Sequence, residues 1–304
     1  MQLLQIVLPV FLIIFFGYLA GKNKIINTHH LDALNNFAYF VSLPALIIVS
    51  FWQINFFSPG LLKLLGFNLL ALGLFAFLLL FGLNLTSLKN TTKASIFLSV
   101  LVGNAIYIGF PIGKEAFGHN NFNLIAGIGT IHLVLGTFLG VMASLHWTQN
   151  HKNLTRYLLE FIKNPIIIAL GIGVLFSFTP EFGKIEIVLN KTLSMLAVTA
   201  SPVALFALGC FLSLRQHKLT LGLEIFPPIL KLLIFPLFVW WFLKLFNLPM
   251  TQINMSAFLS TMPTAVTTFV IAKKFGLDET LISTSLLITT ALSVITIFLY
   301  LSLI

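Results

Sequence analysis

Two apolar segments of this 304-residue chain carry polar and helix-breaking residues in their middle. One contains Gly103-Asn104 and then Gly109-Phe110-Pro111, and the other contains Thr261-Met262-Pro263-Thr264. Glycine and proline weaken the hydrogen-bond ladder of a helix. The second half of a broken helix presents free N–H groups and a positive dipole end, which favour an anion. Because Asn104 and the threonine hydroxyls add directed hydrogen bonds, the pair of segments predicts an anion-binding site.

Each break has a simpler interpretation as a proline kink, because prolines are frequent in membrane helices. The pair is more informative than either break alone. Amides freed by a break inside lipid must line a wet cavity or meet other protein groups. Two breaks that cross near the middle of the membrane would surround one cavity, so we interpret the pair as functional.

The elements that carry these residues are predicted to be membrane helices. Hydrophobic residues make up 58% of the chain and charged residues only 8%, against about 25% charged residues in soluble domains. This composition excludes a soluble enzyme, a disordered protein and a nucleic-acid-binding protein, although the net charge is +9. Ten apolar segments are long enough to span a bilayer: 3–21, 31–51, 61–83, 94–117, 123–146, 158–178, 189–212, 227–246, 254–274 and 280–302.

The basic residues predict the orientation of these helices. No Lys or Arg precedes the first apolar segment, so we expect a retained helix rather than a cleaved signal peptide. Loops that follow odd-numbered segments contain more basic residues than the other loops, which places them in the cytoplasm and both termini outside. The basic residues of the odd-numbered loops are Lys22, Lys24, Lys89, Lys93, Lys152, Arg156, Lys163, Arg215, Lys218, Lys273 and Lys274.

Lys231 lies close to the start of the eighth segment. As an ionisable residue inside the membrane it would be a functional candidate. We favour the alternative that the helix begins near Pro227-Pro228, which leaves Lys231 in the first turn, with its ammonium reaching the interface.

A shift of 158 residues aligns the two halves of the chain. Leu43-Pro44-Ala45-Leu46 then falls on Ser201-Pro202-Val203-Ala204, and Lys114 to Gly118 falls on Ala272 to Gly276. Pro9 and Pro165 match two residues off this shift. Five helices per repeat is an odd number, so the second repeat must enter the membrane upside down, as in secondary transporters. We predict repeats over 1–156 and 157–304.

The two broken segments resemble motifs of the auxin efflux carrier family. Asn104 to Ile112, with Gly-x-Pro at its end, resembles the family's fourth-helix motif, and Met262-Pro263 followed by Phe269 to Gly276 resembles its ninth-helix motif. Leu8 to Gly21 and Leu43-Pro44-Ala45-Leu46 are similar as well. The family includes plant auxin exporters and prokaryotic carriers of organic acids such as malate or malonate.

The resemblance implies a ten-helix fold related to bile-acid sodium symporters, with crossed helices 4 and 9. It also implies a scaffold of helices 1, 2, 6 and 7, a transport domain of helices 3–5 and 8–10, and a homodimer. By the same resemblance, Asn104 is a substrate-site residue, and Pro111 and Pro263 mark the crossing. The neighbouring candidates for substrate binding are Tyr107, Gly109, Thr261, Met262 and Thr264.

Two departures from the plant exporters favour a compact prokaryotic carrier. Thr267 stands where the plant proteins carry a second proline, and the long hydrophilic loop after helix 5 is reduced to Trp147–Tyr157.

Groups that could couple transport to an ion gradient are few. The acidic residues lie in loops or near predicted helix ends, and Glu115 is the nearest to a break. Glu115 could carry a proton, or it could form an exposed pair with Lys114 at a helix end. His132 in helix 5 could also carry a proton, although we favour a histidine hydrogen-bonded between helices. Sodium could bind to unwound carbonyls, and we expect no other cofactor and no metal.

The leading hypothesis is a secondary transporter that exports a small organic anion, auxin-like or a mono- or dicarboxylate, across the cytoplasmic membrane by alternating access. The alternatives are a sodium-coupled symporter of organic anions on the same fold and a channel-like protein. An enzyme is disfavoured, since the sequence contains no catalytic motif.

Overall fold

The protein is described by a computed structural model that covers residues 2–54, 56, 60–148, 154–178, 184–214 and 222–304. These parts of the chain form α-helices joined by short turns and contain no β-strand. The helices are α1 Gln2–Lys22, α2 Thr28–Phe37, α3 Leu43–Trp52, α4 Leu61–Asn84, α5 Asn90–Leu101, α6 Phe110–Phe117, α7 Phe122–Thr148, α8 Leu154–Ile162, α9 Pro165–Ser177, α10 Lys184–Val198, α11 Ala200–Leu214, α12 Phe226–Ile229, α13 Phe235–Lys244, α14 Met250–Ser260, α15 Thr267–Phe275 and α16 Glu279–Leu303.

Seven helical stretches within the described residues are long and apolar enough to span a membrane. They coincide with seven of the ten predicted segments, which confirms a polytopic all-α membrane protein. These stretches are Leu3–Lys22, Thr28–Trp52, Leu61–Asn84, His119–Thr148, Ile187–Leu214, Leu223–Lys244 and Glu279–Leu303.

The other three predicted segments are interrupted. Segment 94–117 is divided between α5 and α6, and segment 254–274 between α14 and α15. Segment 158–178 contains the end of α8 and the apolar helix α9. Ten membrane crossings therefore remain a prediction. Lys152, Arg215, Lys218 and Glu181, together with loop residues 149–153, lie outside the described residues.

Short π-helical turns precede three prolines. The turns Ala38–Ser42, Ala105–Gly109 and Leu230–Ile234 are followed by helices with proline in their first two positions. Proline has no N–H to donate to the residue four before it. The chain accommodates this loss with a wider turn; Leu43 N–H, for example, donates to the carbonyl of Ala38, five residues back. These prolines therefore widen their helices locally without ending them.

The chain forms two compact units, each built from several stretches of sequence. Unit 1 contains Met1–Leu61, Ile106–Gly127 and Leu158–Gln216. Unit 2 contains Leu62–Ala105, Ile128–Tyr157 and His217–Ile304.

Two helix pairs in unit 1 pack through glycine. Helix α1 lies along α11, and α9 lies along α3. A Cβ on Gly17 would lie 2.1 Å from the carbonyl oxygen of Phe206, and a Cβ on Gly173 would lie 3.0 Å from that of Ile48. Small residues of this kind let helix backbones approach each other closely in membranes.

These two contacts relate the halves of the sequence to each other. Gly173 is the counterpart of Gly17 in the second half of the chain, 156 residues later, the same separation as that between Pro9 and Pro165. Phe206 is likewise the counterpart of Ile48, 158 residues later, which is the internal shift. The contact between α1 and α11 is thus repeated, with the two halves exchanged, between α9 and α3.

The interrupted helices of unit 1 also meet at corresponding positions. Ser42 lies at the end of the π-helical turn before α3, and Thr199 lies between α10 and α11. Their hydroxyl oxygens are 2.7 Å apart and share a hydrogen bond. In lipid, such a bond satisfies polar groups that would otherwise be left without a partner.

We expect Gly17→Ala to lower the stability of the protein. The added methyl group would overlap a backbone carbonyl that cannot move without separating α1 from α11, and overpacking of this kind destabilises proteins by about 1–3 kcal/mol. The measurement is the thermal unfolding midpoint in detergent. Gly66→Ala is the matched control, because a Cβ there has no neighbour within 4 Å. Equal midpoints for the two variants would contradict this account of the helix contact.

Candidate functional site

The two sequence-predicted breaks are real interruptions of helical structure. Helix α5 ends at Leu101, and Val102 adopts an extended conformation before the π-helical turn Ala105–Gly109. Helix α14 ends at Ser260, and α15 does not begin until Thr267. Both breaks therefore leave several consecutive residues outside any helix.

The non-helical residues of the two breaks bind each other inside unit 2. Gly103 and Thr264 are paired in an antiparallel arrangement. The N–H of Asn104 donates to the carbonyl of Pro263 at 2.7 Å, and the N–H of Ala265 donates to the carbonyl of Val102 at 3.0 Å. The amides freed by one break are thus satisfied by carbonyls of the other, which is the condition for irregular backbone in a membrane interior.

Thr264 holds the second break in place. Its hydroxyl donates to the carbonyl of Ser99 in α5 at 2.8 Å, and its N–H donates to the hydroxyl of Thr289 in α16 at 3.1 Å. Thr261 uses its hydroxyl hydrogen locally, on the carbonyl of Phe258 at 2.7 Å. Both hydroxyls were predicted to bind substrate, but in the structure their hydrogens are donated to the backbone, which leaves only their oxygens as acceptors.

The other candidates are divided between the units. Asn104, Met262 and Pro263 belong to unit 2 and are buried. The remaining candidates around the first break belong to unit 1: Tyr107, Gly109, Pro111 and Glu115. Tyr107 is half-buried within the π-helical turn, and Pro111 lies in the first turn of α6.

Glu115 is exposed at the end of α6. Its carboxylate lies 3.7 Å from Nε2 of His119, with 57% of the side chain exposed. Lys114, the partner predicted from the sequence, instead places its ammonium over the ring of Phe122. A carboxylate this exposed has the character of a helix-end residue.

His132 is buried in α7 without the hydrogen bond that we expected. Only 4% of the residue is exposed, and its Nε2 has no hydrogen-bond partner among the described residues. Its ring centroid lies 6.0 Å from that of Phe235. A buried ring nitrogen without a partner is unusual in a folded protein and marks a polar point in the interior of unit 2.

Lys231 contradicts our interpretation of the sequence. Helical structure begins at Leu223, before Pro227-Pro228, because both prolines fit the first turn of α12. Lys231 therefore lies deeper than the first turn, and only 1% of it is exposed. Its Nζ does not reach the interface but lies 2.7 Å from the position that a Cβ on Gly103 would take.

Of the two alternatives that the sequence offers for Lys231, the buried one is correct, because Pro227-Pro228 do not mark the start of the helix. The signal that could have found it is the run Phe226-Pro227-Pro228-Ile229. Prolines in that run can follow a helical turn as readily as they can start a helix.

We expect Thr264→Val to destabilise unit 2. Valine keeps the shape of threonine but leaves the carbonyl of Ser99 without its donor, a loss of about 1–3 kcal/mol for a buried group. Thermal unfolding in detergent measures the effect. Thr267→Val serves as the matched control, because the Thr267 hydroxyl has no hydrogen-bond partner in the described part of the chain. A larger loss at Thr267 than at Thr264 would be evidence against the bonding described here.

Comparison with known proteins places this chain in a family of membrane transport proteins. A family model described as "Membrane transport protein" matches residues 3–153 and 148–301. An uncharacterized transporter, MJ1031, of Methanocaldococcus jannaschii is 24% identical, with 98% of this chain and 97% of that protein aligned. A Rhizobium meliloti protein named "Putative malonate transporter" is 28% identical over 97% of this chain and 94% of its own length. The mouse lysosomal cholesterol signaling protein is 24% identical over 96% of this chain but only 36% of its own length.

Proposed function

The chain belongs to the auxin efflux carrier family of membrane transport proteins, and we propose that it is a secondary carrier that moves a small organic anion by alternating access. Family membership favours transport over catalysis. The observation that carries the proposal is the direct pairing of the two helix breaks, through Asn104 and Pro263, inside one compact unit.

The paired breaks have the chemistry of an anion site. They bring the polar side chain of Asn104 to a point where two helices lack regular hydrogen bonding. Broken helices near the bilayer midplane form the substrate sites of many secondary transporters. In such sites, N–H groups at the start of the second half-helix attract anionic groups.

The packing of unit 1 supports an inverted repeat. The close contact of Gly17 with Phe206 has its counterpart, with the halves exchanged, in the contact of Gly173 with Ile48. The two breaks of unit 2 also lie at equivalent positions of the two halves, because Gly103 and Thr261 are separated by the 158 residues of the internal shift. Two similar halves that enter the membrane in opposite directions have similar inward-facing and outward-facing states, and alternating access requires both.

The two compact units suggest how the carrier moves. Helices α1, α2, α3, α9, α10 and α11 lie in unit 1, and α4, α5, α13, α14, α15 and α16 lie in unit 2. This division resembles the scaffold and transport domain that the family resemblance implies, except that α6 and the first residues of α7, which the resemblance assigns to the transport domain, lie in unit 1. In our proposal, unit 2 carries the anion with Asn104, unit 1 forms the scaffold of a homodimer in the cytoplasmic membrane, and both termini lie outside.

The substrate is proposed to be a small carboxylate such as malonate. This choice rests on the similarity to the Rhizobium meliloti protein and on the anion-binding character of the breaks. Export is the proposed direction, because a membrane potential that is negative inside drives anions outward by about 2.3 kcal/mol per charge for every 100 mV.

Counterflow in proteoliposomes tests the proposal. Vesicles loaded with unlabelled malonate should take up labelled malonate faster than empty vesicles. After it releases labelled malonate inside, an alternating carrier can bind unlabelled malonate there and return to the outward-facing state with it. A sodium gradient that is required for uptake would favour the symporter alternative. A single-channel current carried by malonate would contradict alternating access.

We expect Asn104→Ala to reduce malonate transport by at least tenfold while the protein stays folded. Hydrogen bonds to charged groups contribute about 1.5–3 kcal/mol, and the alanine variant keeps the backbone bond to Pro263. Counterflow rates and the unfolding midpoint are measured together. Asn254→Ala, in α14 of the same unit, is the control that should transport normally. Unchanged kinetics in Asn104→Ala would remove this residue from the site.

We expect Pro263→Ala to slow transport several-fold. Alanine supplies an N–H and removes the ring, so α14 can extend toward α15 and weaken the bond from Asn104 to residue 263. Counterflow is the readout, and Pro249→Ala, at the beginning of α14 and away from the break, is the control. A wild-type rate in a variant whose helix has become continuous would contradict the need for a broken helix.

A further inference from the structure

We propose that Lys231 is the cation that binds the carboxylate of the transported anion. The proposal rests on the proposed function and deepens it, because the sequence favoured an interfacial position for Lys231 and the family resemblance assigns it no role. Three observations support this role: the depth of the ammonium group, the lack of a carboxylate partner among the described residues, and its position beside the paired breaks.

The depth of Lys231 is unusual for a lysine. It is among the largest fully buried side chains of the described residues. It lies eight residues after Leu223, where its membrane-spanning helix begins, which corresponds to about 12 Å at 1.5 Å per residue. Ionisable side chains at such depth are rare and belong to functional pathways unless another group pairs with them.

No protein carboxylate neutralises this ammonium group within the described residues. None of the ion pairs among the described residues includes Lys231, and no oxygen there accepts a hydrogen bond from its Nζ. The closest described interaction is with the ring of Phe235, whose centroid lies 4.8 Å from Nζ. A desolvated cation–π contact is worth about 2 kcal/mol or somewhat more, whereas the desolvation of a buried ion amounts to several kcal/mol. An anion is the partner that would stabilise the charged form of this group.

The ammonium group lies at the paired breaks. Its Nζ would be 2.7 Å and its Cε 3.2 Å from a Cβ on Gly103, so it occupies space that any other residue at 103 would fill. Gly103 pairs with Thr264, and Asn104 follows directly. A carboxylate bound to Lys231 would therefore be next to the residue that the sequence predicts to bind substrate.

His132 supplies a second polar group near the same point. Both residues lie against Phe235: the ring centroid of His132 is 6.0 Å from that of Phe235, and Nζ of Lys231 is 4.8 Å from the same centroid. Its Nε2 has no partner among the described residues. In the proposed site, the ammonium of Lys231 binds one carboxylate oxygen, and Nε2 of His132, when it carries a hydrogen, donates to a second oxygen of the same anion. The ring of Phe235 forms the apolar side of the site.

If Lys231 binds the anion, its positive charge compensates one negative charge of the substrate during transport. Lys231 and Asn104 belong to the same unit, so the cation would travel with the substrate. Malonate, which carries two negative charges at neutral pH, then crosses the membrane with one of them compensated, and a monocarboxylate crosses as part of a neutral pair; either pairing reduces the unfavourable desolvation of an isolated charge.

Lys231→Met tests the inference, because methionine fills a similar volume without a charge. We expect the variant without ligand to unfold at a higher temperature than the wild type, since it no longer buries an unpaired ammonium. We also expect malonate to bind at least about 30-fold more weakly, as when one partner of a buried charge pair is removed. Malonate titration of the purified protein in detergent measures both effects. Lys231→Arg keeps the charge and should bind more tightly than Lys231→Met.

The control is Lys244→Met, which removes an exposed lysine from the end of the same transmembrane segment and should bind malonate as the wild type does. The neutral diamide of malonic acid should bind wild type and Lys231→Met equally. If Lys231→Met binds malonate like the wild type, the inference is wrong even though the proposed function stands. A variant that loses stability without malonate would indicate a structural lysine and would equally overturn it. A wild type that neither binds nor transports malonate or other small carboxylates would instead overturn the proposed function.

Discussion

The structure of unit 2 depends on the hydrogen bonds that join its two broken helices. Two backbone amides that would be satisfied within a continuous helix, those of Asn104 and Ala265, instead donate to carbonyls of the other chain segment. An unpaired amide in lipid is unfavourable by several kcal/mol, so neither break is stable without the other. This mutual dependence fixes the position of the surrounding helices, because Thr264 also binds α5 and α16.

Buried polar groups without partners also collect in unit 2. The described residues include several buried side-chain oxygens and nitrogens without hydrogen-bond partners, and all of them belong to this unit: Asn68, Ser99, Thr130, His132, Gln252, Thr267, Thr284, Ser285 and Thr290. Unit 1, in contrast, packs its helices through glycine and through the shared hydrogen bond between Ser42 and Thr199. In our account, unit 1 is the stable frame, and unit 2 contains the polar groups that a hydrophilic substrate needs inside a membrane.

Much of this organisation could be predicted from the sequence, and the exceptions have physical reasons. Composition determines the fold class, and Gly103-Asn104 and Met262-Pro263 mark the breaks because few other residues disrupt a helix in lipid. The roles of Thr261 and Thr264 were not predictable, since hydroxyls that bind backbone look identical in sequence to hydroxyls that bind substrate. Lys231 was misplaced because proline can occupy the first turn of a helix, so Pro227-Pro228 did not mark where the helix begins.

The measurement that tests the central claim most directly is a cryo-electron microscopy map of the protein with a saturating concentration of the carboxylate that gives the largest thermal shift. The account predicts density for that anion beside the paired breaks, within hydrogen-bond distance of the side chain of Asn104. The account would be contradicted if the anion bound elsewhere while the two breaks remained paired and contacted no anion.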